Sequence, residues 1–217
     1  MCSSDLDLGS GRTLAEDAFD NPQIAVAPDV LARIHHADSA EGLAELQAMV
    51  VEGLNRTVAA MCARAGLAPA DVRLAAVAGN PAMSHLFLGI SPRWIIREPY
   101  IPAVNAPDPI PASELGLEIH PRARVLVFPN VGSYFGGDLI AGILFSGMNE
   151  IEETAILVDV GTNAEVILGN RDWLVACAGA AGPALESGVA RMGMMAAPGV
   201  IDTVTVAPET RRFQVGR

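Results

Sequence analysis

The stretch that most constrains the fold is 155–169, which reads A-I-L-V-D-V-G-T-N-A-E-V-I-L-G. An apolar run at 155–158 gives way to Asp159, the turn Gly161-Thr162-Asn163 follows, and a second apolar run returns at 166–168. Two short apolar runs joined by a glycine-containing polar turn predict a β-hairpin whose strands are buried. The turn also brings an acid, a hydroxyl and an amide to the strand ends. Backbone N–H groups in a tight glycine turn can converge on one anion, and Thr162 and Asn163 add donors. Asp159 repels a phosphate, yet it can hold Mg²⁺ or a metal-bound water beside one. The residues alone leave two readings open, a phosphate loop and a purely structural turn.

Downstream, Gly169-Asn170-Arg171-Asp172 is a turn signal and 173–177 a third strand, so a three-stranded meander is expected. The small-residue loop Gly179-Ala180-Ala181-Gly182-Pro183 then leads into a helix with proline in its first turn. Free N–H groups at such a helix start make Gly179, Ala181 and Gly182 a second anion-binding candidate.

Upstream, 39–65 is the clearest helix. Ser39 caps it, Glu41 and Glu45 lie in its early turns, and Leu43, Leu46, Val50, Leu54, Val58 and Met61 recur at three- and four-residue steps. Gly66 closes it. A buried strand at 72–77 runs through Gly79-Asn80-Pro81 into a helix at 82–88, a junction that is either ligand-facing or an ordinary strand-to-helix turn. Prolines 99, 102, 107, 109 and 111 make 98–118 an irregular excursion. A strand at 124–128 leads to the glycine-rich loop 129–138 and a helix of small and apolar residues, with Asp138 expected at or near its N-cap. Capping is one role for Asp138; orienting a metal-bound water is the other. Residues 1–12 are small and polar without apolar periodicity, and are expected to be an unstructured lead.

Composition bounds the partners. The net charge of −11 argues against a binder of nucleic-acid backbones. No window is long and apolar enough to span a bilayer, and no signal peptide is visible. Cys2, Cys62 and Cys177 are widely spaced and fit no zinc or iron–sulfur pattern, which points to a reducing, cytoplasmic compartment.

A Gly-Gly-Asp loop before a small-residue helix, followed by a strand with Asp-x-Gly-Thr-Asn, resembles the acetate and sugar kinase/Hsp70/actin (ASKHA) superfamily. That resemblance implies an α/β fold with a mixed sheet and flanking helices. The closer resemblance is to the ATPase domain of the ATP-dependent reductive activators of corrinoid proteins. It rests on Asn21-Pro22-Gln23 with Asp29-Val30 and Arg33-Ile34, on Gly79-Asn80 with Met83, His85, Leu86 and Leu88-Gly89-Ile90, and on Glu98-Pro99-Tyr100. It continues through Gly136-Gly137-Asp138, Asp159-x-Gly161-Thr162-Asn163-x-Glu165 and Ala180-Ala181-Gly182-Pro183-Ala184.

The resemblance covers 19–202 and places 13–217 in one partial ASKHA domain. It implies a protein that uses ATP and Mg²⁺ to help restore Co(I) in a partner corrinoid protein, with electrons from a [2Fe–2S] domain outside this chain. Asp159 would stand at the metal or phosphate aspartate and Asp138 at the acid that orients a metal-bound water. Gly161, Thr162 and Asn163 would form the phosphate turn, with Gly79, Asn80, Gly137, Gly179, Ala181 and Gly182 lining the nucleotide cleft. No first phosphate hairpin is read before Asn21 and no adenosine-side glycine motif after Asp202, so an internal piece of a longer protein is expected. The chain departs from the family pattern at Pro28, at Pro81-Ala82, where a threonine pair is usual, and at Glu186-Ser187. Two alternatives stay open, a non-catalytic scaffold of the same fold and a small-molecule kinase of the superfamily. The oligomeric state, a homodimer included, stays open as well.

Overall fold

A computed structural model describes residues 1–161, 163–181, 194, 197–201, 203–206 and 213–216. The chain forms two compact units, Met1–Ser146 and Gly147–Arg217. Thr162 and Gly182, the latter with the helix read after it, lie outside the described residues.

The first unit opens with a hairpin of β1 (Cys2–Leu6) and β2 (Thr13–Ala18), antiparallel with Cys2 opposite Ala18. The unstructured lead expected at 1–12 is therefore corrected to a strand and its turn. Small polar residues carry no apolar alternation, so the strand leaves little trace in the sequence; its stability is tertiary. Phe19 N–H donates to the Met1 carbonyl at 2.9 Å, and Arg64 on α2 pairs with Asp17 at 3.0 Å. At the turn, the Asp7 carboxylate accepts from Gly9 N–H at 2.9 Å and Ser10 Oγ–H at 2.8 Å.

The short α1 (Val30–His36) is capped by Asp29, and α2 (Ala40–Ala65) is capped by Ser39, whose Oγ accepts from Gly42 N–H at 3.0 Å. Gly66 ends α2 at φ 70°, the left-handed conformation that glycine adopts without a Cβ penalty. The expected stripe turns inward: Leu46, Val50 and Met61 are buried, joined by Val51 and Cys62.

This helix and α3 (Pro81–Leu88) pack on a three-stranded sheet ordered β3 (Leu74–Val77), β5 (Arg124–Val127), β4 (Ile110–Pro111). Val50, Val51, Phe87, Leu115, Val125 and Val127 form the core between them. Strands β3 and β5 are parallel with Val77 beside Val127, so their carboxyl ends emerge together. The proline-rich excursion is irregular over most of its length, then contributes β4 as an antiparallel edge of this sheet. Helix α4 (Gly137–Ser146) closes the unit.

The second unit contains the expected meander, β6 (Ala155–Val160), β7 (Asn163–Asn170) and β8 (Trp173–Ala180), and a hairpin of β9 (Thr203–Val206) with β10 (Phe213–Gly216). The strands are paired as expected, but β6 is not buried on both faces. Ile156, Val158 and Val160 are 65, 50 and 72% exposed, a correction to the reading of its apolar run. Alternate residues share one face of a strand, and the described residues leave that face of β6 uncovered. Among the described residues no helix is long and apolar enough to cross a membrane.

Candidate functional site

In the first unit, two separated sequence features meet at the carboxyl ends of β3 and β5. The turn after β3 carries Gly79 and Asn80, and the loop after β5 returns through Gly136, Gly137 and Asp138. A Cβ on Gly136 would come within 2.5 Å of Asn80 Cα, 2.6 Å of the Gly79 oxygen and 2.5 Å of Asp138 Oδ1. A Cβ on Gly137 would lie 2.7 Å from Phe128 Cβ. Both glycines are thus required by close backbone approach. Asp138 N–H points at the Gly79 carbonyl at 3.4 Å, and Phe128 N–H donates to the Val77 carbonyl at 2.9 Å. Asp138 stands second in α4, in the first turn and near the N-cap as expected, and its Oδ1 accepts from Leu139 N–H at 3.0 Å.

Asn80 is the N-cap of α3: its Oδ1 accepts from Met83 N–H at 2.9 Å. The ordinary strand-to-helix turn is therefore present, and only the amide NH₂ of Asn80 is left to turn toward a ligand. Behind the turn, His85 is wholly buried, with Nδ1 2.7 Å from the Pro81 carbonyl. Burial holds its imidazole below its usual 6.5, against the opposing pull of that carbonyl. On its other side Nε2 accepts from Val104 N–H at 3.4 Å. His85 is thus a neutral structural group, as its helical position suggests.

Sequence reading missed one polar residue here. Asn130, 6% exposed, has an Oδ1 shut off from solvent with no hydrogen-bond partner among the described residues. An asparagine after proline at a strand end reads as a turn residue, and only tertiary structure reveals the unpaired atom. Oxygen donors suit Mg²⁺ and its waters, so Asn130 together with Asp138 is compatible with a hydrated divalent cation. No cluster of three or more His, Cys, Asp or Glu side chains able to hold a metal occurs among the described residues.

In the second unit the expected turn joins β6 to β7 with Val160 opposite Ala164, and Ala164 opposite Gly179 on β8. Gly161, Asn163, Gly179 and Ala181 therefore share one end of the meander, and Ala181 is buried. Gly161 N–H donates to the Asn163 carbonyl at 2.8 Å, so this amide closes the turn and is not free for an anion. Asp159 pairs directly with Glu165 across the hairpin. That second carboxylate was legible: a three-residue turn at 161–163 dictates that 159 faces 165.

Comparison with known proteins follows the same division. Residues 2–151 match the family model described as the RACo middle region, and residues 153–216 match that of the C-terminal domain of RACo, the ASKHA domain. The chain is 30% identical over 199 residues to the corrinoid activation enzyme RamQ of Eubacterium limosum, covering 91% of this chain and 33% of that protein. It is 33% identical over 106 residues to the [Co(II) methylated amine-specific corrinoid protein] reductase of Methanosarcina barkeri, covering 48% of this chain and 19% of that one. A solved structure of a reductive activator for corrinoid, iron-sulfur protein superposes with a TM-score of 0.80 at 38% identity, over 99% of this chain and 34% of its own. The chain thus spans about a third of the length of RamQ and of the solved activator. Its two matched segments account for nearly all of its residues, and the chain belongs to the RACo family, with an ASKHA-type α/β fold.

Proposed function

We propose that this chain is the part of an ATP-dependent reductive activator that contributes to its ATP/Mg²⁺ cleft, and that the activator restores Co(I) in a partner corrinoid protein. The observation that carries the reading is the packing of Gly136-Gly137-Asp138 onto Gly79-Asn80 at the carboxyl ends of two parallel strands. Ligands of open α/β sheets bind at such ends. Both segments belong to the set of motifs on which the family resemblance rests.

The glycines divide the labour. Gly136 and Gly137 let the loop close. Gly79, Gly161 and Gly179 have no atom nearer than 3.7 Å to a built Cβ and no left-handed φ, so the described residues do not require glycine there. A bare backbone at those points admits close approach of a phosphate. Bound Mg²⁺ would neutralise phosphate charge; within the first unit Asp138 would hold its waters and the Asn80 amide would donate to a phosphate oxygen, and within the second unit Asp159 and Asn163 are assigned the corresponding roles. Thr162 and Gly182 are assigned to the same phosphate-binding turns. Three widely spaced cysteines fit no iron–sulfur ligand pattern, which supports placing the [2Fe–2S] electron carrier outside this chain; the whole is proposed to be cytoplasmic.

Titration calorimetry of Mg·ATP against wild type and Asp138→Asn tests the reading. Binding that weakens at least tenfold in the variant supports it. Equal binding in both would move Asp138 out of the site. No binding to the wild type would favour a scaffold of the same fold, a reading to which the hydroxyl-free Pro81-Ala82 and the capping role of Asn80 lend weight.

A further inference from the structure

The loop between β5 and α4 contains an acceptor that nothing among the described residues satisfies. Asn130 Oδ1 is buried and without a hydrogen-bond partner. Such an atom bears its full desolvation penalty, so in native proteins it is met by a water, an ion or a ligand. The backbone around it is pinned: Asn130 N–H donates to the Asn105 carbonyl at 2.7 Å. Val131 and Phe135 form an antiparallel bridge, which sets Asn130 across from Gly136 in register. Gly136 in turn lies on Gly79 and against Asp138 Oδ1. The Asp138 carboxylate thus lies against the glycine that faces Asn130 in the loop. An amide oxygen and one carboxylate are the donor chemistry of a hard divalent cation that keeps most of its water shell.

We infer that Asn130 is a positioning residue for hydrated Mg²⁺ beside Asp138, accepting a hydrogen from a metal-bound water. The inference rests on the nucleotide reading of this site and adds a residue that neither the motifs nor the family resemblance singled out. Asp138 supplies the charge; Asn130, neutral and held by its loop, fixes the orientation of the water shell.

The test is Mg²⁺ binding by calorimetry, with melting curves in MgCl₂ and in EDTA, on the full chain as wild type, Asn130→Ala, Asn130→Asp and Asp138→Asn. Loss of an outer-shell partner typically weakens metal binding by about tenfold or more, and that is the effect expected of Asn130→Ala. Its melting temperature in EDTA should be unchanged or raised, because an unpaired acceptor is gone. Asn130→Asp, which adds a charge at the same place, should tighten Mg²⁺ binding. Wild-type Mg²⁺ affinity in Asn130→Ala would mean that a buried water satisfies the amide, and would overturn the inference while leaving Asp138 in place. If Asn130→Ala does not fold, unchanged or weaker affinity in Asn130→Asp overturns it. Equal Mg²⁺ response in wild type and Asp138→Asn would bring down the site reading itself, and this inference with it.

Discussion

Glycines of the candidate site fall into two groups by what surrounds them, and the groups predict opposite phenotypes. A methyl at Gly136 or Gly137 would meet backbone and Phe128 at 2.5–2.8 Å, where nothing flexible can yield. Gly136→Ala should therefore cost about 1–3 kcal/mol, read as a lower urea midpoint. At Gly161 the nearest atom lies at 4.0 Å. Gly161→Ala should leave stability within about 0.5 kcal/mol and still weaken Mg·ATP binding, if a phosphate approaches the turn. A fall in stability with unchanged binding would assign Gly161 to the fold instead. His85 adds a pH signature. Its folded pKa is depressed below 6.5, so above that value both states are neutral and stability is full. As pH falls below 6.5 the unfolded chain takes up a proton first, and stability declines until the folded-state pKa is passed. Urea midpoints should therefore fall as pH drops through 6.5, and His85→Gln should flatten that slope. An unchanged slope in the variant would show that His85 does not carry it.

Among the elements, α2 and the meander were legible for different reasons. Helix α2 declares itself through its Ser39 cap, an apolar stripe and Gly66, three signals that agree. Ser39→Ala should cost about 1 kcal/mol, since it removes the acceptor of Gly42 N–H; a change near zero in thermal unfolding would show the cap to be redundant. The meander was legible from runs and turns, and its register places Asp159 opposite Glu165. Like charges directly opposed on strands oppose pairing. Asp159→Asn should thus raise stability by roughly 0.2–1 kcal/mol while weakening Mg·ATP binding. Stability and binding falling together would argue that Asp159 is structural. Strand β1 was illegible because it is held by pairing with β2 and by contacts to α2 far along the chain, such as Cys62 Sγ–H to the Asp5 carboxylate at 3.6 Å. The exposed face of β6 was misread because an apolar run alone does not reveal which of its faces is covered. Asn130 was missed because an unpaired buried atom has no sequence signature.

At the scale of the whole molecule, the family was readable because its motifs recur as an ordered set, each weak alone. Composition set the limits: a net charge of −11 directs attention away from nucleic acid and toward a nucleotide held by local amides and a cation. The family models assign 2–151 and 153–216 to two regions, and the two compact units of the fold divide at nearly the same place, where the sequence reading had one partial domain. That division was hidden because 147–154 is a short polar connection without the proline or glycine run that marks a linker. The most direct measurement is Mg·ATP titration calorimetry on the complete gene product that carries this chain, with Asp159→Ala alongside. The account predicts binding in the wild type that the substitution reduces at least tenfold. Wild-type affinity in Asp159→Ala, or no binding to either protein, would contradict it.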